Sequence, residues 1–221
     1  MSEGPCQVWQ TPLPVDCTPA CADGDVCTND GTCVHAPPVS VGTVRLTGWG
    51  PSPLSFEPVV AGPTIYYASE PTFDGAGNPL GPAPAPGTAL TLDAAGGDLA
   101  PFSLTAHMIA PVAFGWSAEP TIQRGQPLTL EWNRPNQPGQ SYVLAVVNFG
   151  ASLIYATCTL PDTGQGAIPA SILTPLAGAP GTTDSWGVSL NRLSVASTRI
   201  AAGCVTFDVA SHVEGSFSIQ N

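Results

Sequence analysis

The sequence predicts an all-β protein in which a small disulfide-rich module precedes one large β-sandwich domain. Three observations predict it. Five of the seven cysteines fall within the first 33 residues. Gly and Pro, at 24 and 25 of 221 residues, gather in clusters that separate short β-prone runs. Hydrophobic residues still make up 43% of the chain, enough to build a core, so turn-rich globular structure fits where disorder does not.

The module occupies residues 1–40 with its linker. Cys17, Cys21, Cys27 and Cys33 are separated by three, five and five residues, with Asp-Gly turn signals between them. So short a segment has almost no apolar core, and cross-links must replace it. Four cysteines allow three pairings, and spacing does not choose among them. Zinc is a poorer account, because only Cys17 and Cys21 have the close spacing of a structural zinc pair. Asp23, Asp25, Asn29 and Asp30 crowd one loop, but Cys27 stands where a calcium loop would place an acid, so turns in a solvated loop are expected.

The second domain spans residues 41–221 and begins after the linker His35 to Pro38. Short β-prone runs cover Thr43 to Leu46, Thr64 to Tyr67, Thr88 to Leu92 and Phe102 to Ala106. Leu128, Leu130 and Trp132 alternate with Thr129 and Glu131, the period-two pattern of a strand with one buried face. Tyr142 to Phe149 and Leu153 to Thr159 form a candidate hairpin through residues 150–152. One helical turn is expected at Ile168 to Leu173, with Pro169 at the first helical position. Val188 to Ala202 is compatible with helix or strand, and its Val, Ser and Thr content favours strand. Cys204 to Val209 and Ser216 to Ile219 close the chain as strands.

Cys158 and Cys204 lie on two of these strands and most simply pair with each other. A bridge between strands of a sandwich is an immunoglobulin-like feature, although Trp186 comes too late for the antibody pattern. The expected fold class is therefore an immunoglobulin-like β-sandwich preceded by the module.

Two resemblances follow from these residues. The run from Cys17 to Cys33 resembles compact EGF-like modules, which implies interleaved bridges Cys17 to Cys27 and Cys21 to Cys33 and leaves Cys6 either unpaired and free for a partner chain or paired in some other scheme. The stretch from Ala94 to Leu104, the strand Pro127 to Trp132, Cys158, Ile168 to Leu173 and the closing strands resemble β-rich secreted or lipoprotein-type proteins of myxobacteria and relatives. That resemblance implies an envelope location and no particular activity.

Charge removes whole classes of function. Sixteen acidic residues stand against five basic ones, for a net charge of −11, and all five basic residues are arginines. Nucleic acid binding needs a basic footprint that this chain lacks. Without lysine there is no P-loop lysine and no Schiff-base chemistry. No apolar run is long enough to span a bilayer as a helix. Residues 1–5 have neither a basic nor an apolar segment, so the export signal that the cysteines call for is expected to lie outside the given chain.

Catalytic signals are sparse. Neither G-x-S-x-G nor H-E-x-x-H occurs. Asp162-Thr163-Gly164 matches the aspartic-protease triplet, but that chemistry needs two aspartates and one copy is present; a turn is expected. His35, His107 and His212 are scattered. Glu57, Glu70, Glu119 and Glu131 qualify as glycosidase-type carboxylates by residue type alone. Among Trp49, Trp116, Trp132, Trp186, Tyr66 and Tyr67, alternation assigns Trp132 to the core, whereas Trp49, Tyr66 and Tyr67 are the ligand-facing candidates. No catalytic residue, cofactor or metal is assigned. The expected function is an exported cell-surface or extracellular interaction or structural protein with a protein or glycan partner; the alternatives are a carbohydrate-binding protein and a hydrolase with dispersed residues.

Overall fold

A computed structural model of the chain describes residues 2–10, 17–22, 25–28, 30–35, 39–61, 64–69, 82–135, 141–148, 154–174 and 183–220. The expected linker at 36–38, the turn at 150–152, and Asp23, Asn29 and Glu70 lie outside them. Strand follows strand: β1 (Ser2–Glu3), β2 (Cys6–Gln10), β3 (Asp25–Cys27), β4 (Cys33–His35), β5 (Val44–Thr47), β6 (Leu54–Ala61), β7 (Thr64–Ser69), β8 (Ala89–Ala94), β9 (Phe102–His107), β10 (Thr121–Gln123), β11 (Leu128–Glu131), β12 (Tyr142–Asn148), β13 (Ile154–Pro161) and β14 (Gln165–Ile168). A single helical turn, α1 (Ala170–Leu173), precedes the long strands β15 (Thr183–Ile200) and β16 (Gly203–Gln220). The fold is all-β, as composition and periodicity require.

The chain forms two compact units. The first comprises Met1–Thr11, Ile109–Ser194 and Val209–Asn221, and the second Pro12–Met108 and Val195–Asp208. Residues on both sides of the expected division at 40 and 41 fall within the second unit.

The first unit is built on a seven-stranded sheet in the order β1-β2-β13-β12-β15-β16-β10, to which β15 and β16 contribute residues 183–194 and 209–220 and in which β10 and β16 pair in parallel. Its buried face follows from alternation: Val143, Ala145 and Val147 on β12, Ala156, Cys158 and Leu160 on β13, Val188 and Leu190 on β15, and Phe217 and Ile219 on β16. The register aligns Cys6, Cys158, Ala145 and Leu190 in one fully buried row. Leu128, Leu130 and Trp132, with Ile168 of the paired β14 and Ile172 and Leu173 of α1, complete this core. Pro169 stands just before α1, with φ −59° and ψ 146°, one place earlier in the helix than expected.

The second unit holds a five-stranded antiparallel sheet, β7-β6-β5-β8-β9, and the hairpin β3-β4. One sheet face carries Val44, Leu90, Ala94, Leu104 and Ala106, all buried. The other carries Arg45, Ser55, Glu57, Tyr66 and Asp93.

The cysteines require two corrections. Cys158 is bonded to Cys6, not to Cys204, and Cys6 is therefore not available to a partner chain. The reason is register: Cys6 and Cys158 sit directly opposite each other on β2 and β13, with Cα atoms 4.0 Å apart. Cys204 lies at the start of β16, exposed and free. The expected bridge between sandwich strands is thus replaced by one that ties the N-terminal strand into the sheet. Within the module, Cys17 is bonded to Cys27 and Cys21 to Cys33. The Sγ atoms of Cys17, Cys21 and Cys27 lie within 4.8 Å of one another because two bridges are stacked, and sulfur held in a disulfide offers no thiolate to a metal.

Candidate functional site

Asp162, first residue of the aspartic-protease-like triplet, is buried within a structural network. Its Oδ2 accepts hydrogen bonds from Arg192 Nε (2.7 Å) and Ser141 Oγ (2.6 Å), and its Oδ1 from Trp132 Nε1 (2.8 Å) and Arg192 Nη2 (3.2 Å). Arg192 is fully buried in the row of Val143 and gives its remaining N–H groups to the carbonyls of Ala110, Pro111 and Asn133. All five guanidinium donors are satisfied, and so are four acceptor positions of the carboxylate. Neither group is left for a substrate.

The first unit opens a surface cleft of about 350 Å³ between the segment 114–119 and residues 213–216 of β16. The segment is anchored at both ends. Phe114 bridges Trp132, Gly115 N–H donates to Glu131 O (2.8 Å), and Asn133 N–H donates to Ala113 O (3.1 Å). Beyond it, Ser218 N–H donates to Pro120 O (2.9 Å), where the chain enters β10 and pairs in parallel with β16, Thr121 opposite Ser218. This places Glu119 beside β16, whose alternation turns Phe217 and Ile219 inward and leaves Ser216 and Ser218 to meet the carboxylate. Ser218 Oγ (2.7 Å) and Ser185 Oγ (3.4 Å) donate to Glu119 Oε1, and Ser216 Oγ (3.0 Å) to Oε2. The Ser218 hydroxyl, followed by those of Ser216 and Ser185, holds this exposed carboxyl below the usual carboxylate range.

Beside Glu119, Phe114 and Trp116 stack with ring centroids 4.5 Å apart and planes 16° from parallel. Gly215 makes room for them: a Cβ there would lie 2.8 Å from Phe114 Cε2. Glu214 stands on the rim, within 3.2 Å of His212 Nε2, while His212 Nδ1 meets Asn191 Oδ1 at 2.9 Å.

A second cleft, of about 430 Å³, lies on the open sheet face of the second unit and is lined by Thr43, Arg45, Ser55, Glu57, Asp93, Ala94 and Ala95. Arg45 and Asp93 are direct cross-strand partners, and Thr43 Oγ1 donates to Glu57 Oε2 (3.0 Å). Its lining is polar and holds no aromatic ring.

The aromatics singled out from sequence fall elsewhere. Tyr66 is 51% exposed on the open face of the second unit. Tyr67 points the other way, its hydroxyl accepting Val41 N–H (2.8 Å), and Trp49 is half-buried after β5. Trp116 and Glu119, present in the sequence as residue types, are brought together, while Trp9, exposed on β2, gives its indole N–H to Thr157 Oγ1 (2.8 Å). His35 pairs with Asp25 at 3.0 Å, and among the described residues no set of three His, Cys, Asp or Glu donors converges apart from the disulfide sulfurs. In the module loop, Asp30 accepts from the hydroxyls of Thr28 and Thr32, which hold its carboxyl at about 2.

In comparisons with known proteins, no family model, curated protein or solved structure matches the chain.

Proposed function

We propose that this is an exported interaction protein of the cell surface or extracellular space, acting by binding rather than catalysis, with the cleft between Trp116 and Glu119 as its contact surface. The observation that carries the reading is that cleft: a stacked aromatic pair beside a carboxylate whose orientation three serines fix. Such rigid, partly apolar surfaces with a few placed polar groups are how binding sites are built. Three disulfides agree with an oxidising compartment, and the myxobacterial resemblance adds an envelope location. The hydrolase alternative loses its most enzyme-like motif, because Asp162 has its four acceptor positions taken by Arg192, Trp132 and Ser141.

Sedimentation of the labelled full chain with isolated bacterial envelopes tests this. Saturable binding, competed by unlabelled protein and weakened by Trp116→Ala, is expected. Absence of saturable binding, or binding indifferent to Trp116, would overturn the reading.

A further inference from the structure

We infer that the Trp116 cleft takes a neutral saccharide, with the aromatic pair as platform and Glu119, Ser216 and Ser117 as the hydrogen-bonding wall. This rests on the binding reading above and names its ligand class. Three properties of the cleft lead to it. Its volume, about 350 Å³, falls in the range of small-ligand sites, roughly 300–1,000 Å³. Its aromatic side is rigid: Phe114 is confined between Trp116 and the backbone at Gly215. A flat ring offers dispersion contact and a negative π-face to the C–H groups of a pyranose.

The polar side complements hydroxyl groups in particular. Ser185, Ser216 and Ser218 all give their hydrogens to Glu119 and fix it; of the three only Ser216 lines the cleft, where its oxygen presents lone pairs. The carboxylate, with three acceptor positions occupied out of about four, keeps room for one more donor. Glu119 and Ser216 thus offer acceptors, and the Ser117 hydroxyl on the same lining can donate as well as accept, which matches sugar hydroxyls that do both. Charge narrows the class further. Glu119 is held ionised, Glu214 stands on the rim, and the chain carries −11 overall, so a uronic acid or sulfated glycan meets repulsion. Two carboxylates would also attract a cationic peptide, the rival ligand that an oligolysine comparator tests.

The test is isothermal titration of the full chain at neutral pH with cellohexaose, xylohexaose, mannohexaose and chitohexaose, with polygalacturonate and an oligolysine peptide as charged comparators. At least one neutral hexasaccharide binds. Trp116→Ala weakens it by about tenfold or more, Trp116→Phe retains it within about threefold, and Glu119→Gln weakens it by about tenfold through loss of a charge-assisted acceptor. Thermal melts establish that each variant is folded; Glu119 is exposed, so Glu119→Gln decides the matter if Trp116→Ala does not fold. Tyr66→Ala, on the other sheet, leaves the affinity unchanged. Binding indifferent to both Trp116→Ala and Glu119→Gln overturns the site, and tighter binding of polygalacturonate or oligolysine overturns the ligand class. If no hexasaccharide binds while the chain still sediments with envelopes through Trp116, the saccharide inference fails and the interaction reading stands; if neither occurs, both fail.

Discussion

Replacing Arg192 with methionine keeps an unbranched apolar stem and removes the whole guanidinium group from a fully buried site. The structure gives the scale of the loss. Arg192 makes two hydrogen bonds to Asp162 and three to the carbonyls of Ala110, Pro111 and Asn133. Without it, Asp162 keeps Trp132 and Ser141 but has no countercharge, and removing one partner of a buried pair costs roughly 3–5 kcal/mol. Three carbonyls also lose a donor, each worth about 1 kcal/mol if water does not reach it. A total of about 5 kcal/mol or more compares with a typical stability of about 5–15 kcal/mol. Spread over a chain of 221 residues, it corresponds to a fall in melting temperature of roughly 10–20 °C. Urea unfolding of the parent, Arg192→Met, Asp162→Asn and the double variant completes a cycle. The double variant, with no buried charge left unpaired, is expected to cost at least about 2 kcal/mol less than the sum of the singles. A loss below about 1 kcal/mol for Arg192→Met, or additivity within about 0.5 kcal/mol, would refute the assignment of this pair as a coupled structural element.

Joint replacement of Cys6 and Cys158 by alanine opens a loop closed across 152 residues, and the chain-entropy model sets the loss at about 5 kcal/mol as an upper value; urea unfolding measures it, and a change below about 1 kcal/mol would show that the paired strands β2 and β13 hold without the bridge. Asp30, held at about 2 rather than 3.8, contributes stabilisation that is present above the unfolded value and lost as pH falls through about 2. Its carboxyl carbon is expected to titrate at that low midpoint by NMR and to move upward in Thr28→Val, which removes the largest cause; a parent midpoint near 3.8 contradicts the geometry. Gly215→Ala places a methyl 2.8 Å from the Phe114 ring, and overpacking of that kind costs about 1–3 kcal/mol. Near-ultraviolet circular dichroism should change with it, because the Phe114 and Trp116 stack must shift.

Features carried by local period were legible. Leu128, Leu130 and Trp132 announce a buried face by alternation, and they pack in the core. Val188 to Ala202 could have been helix on propensity, yet its partner strand was encoded next to it, and the two form a long hairpin in which pairing outweighs local preference. The same cooperation explains one merger: the short runs Cys204 to Val209 and Ser216 to Ile219 are a single strand, because the intervening residues lie along β15. The cystine pattern was not legible in the same way. Cys158 has partners at comparable chemical cost on either side in the chain, and the choice of Cys6 depends on β2 adding to the edge of β13 in one register, a long-range fact with no local signature.

The candidate site shows the same limit from the other direction. Trp116 and Glu119 are three residues apart and visible as an aromatic and an acid, but no alternation runs through them like the one that assigns Trp132 to the core, so their facing is not written locally. The distinction is made by a parallel pairing, Thr121 opposite Ser218, that spans most of a hundred residues. It carries Glu119 to two serines whose alternation in β16 reads, locally, as the solvent face of a closing strand. A serine at every second position is uninformative until a carboxylate arrives from elsewhere to take its proton donors. Binding sites assembled on sheet edges are therefore expected to be hidden in this manner: the strand period declares which side chains face outward, and only the strand order decides which of them meet.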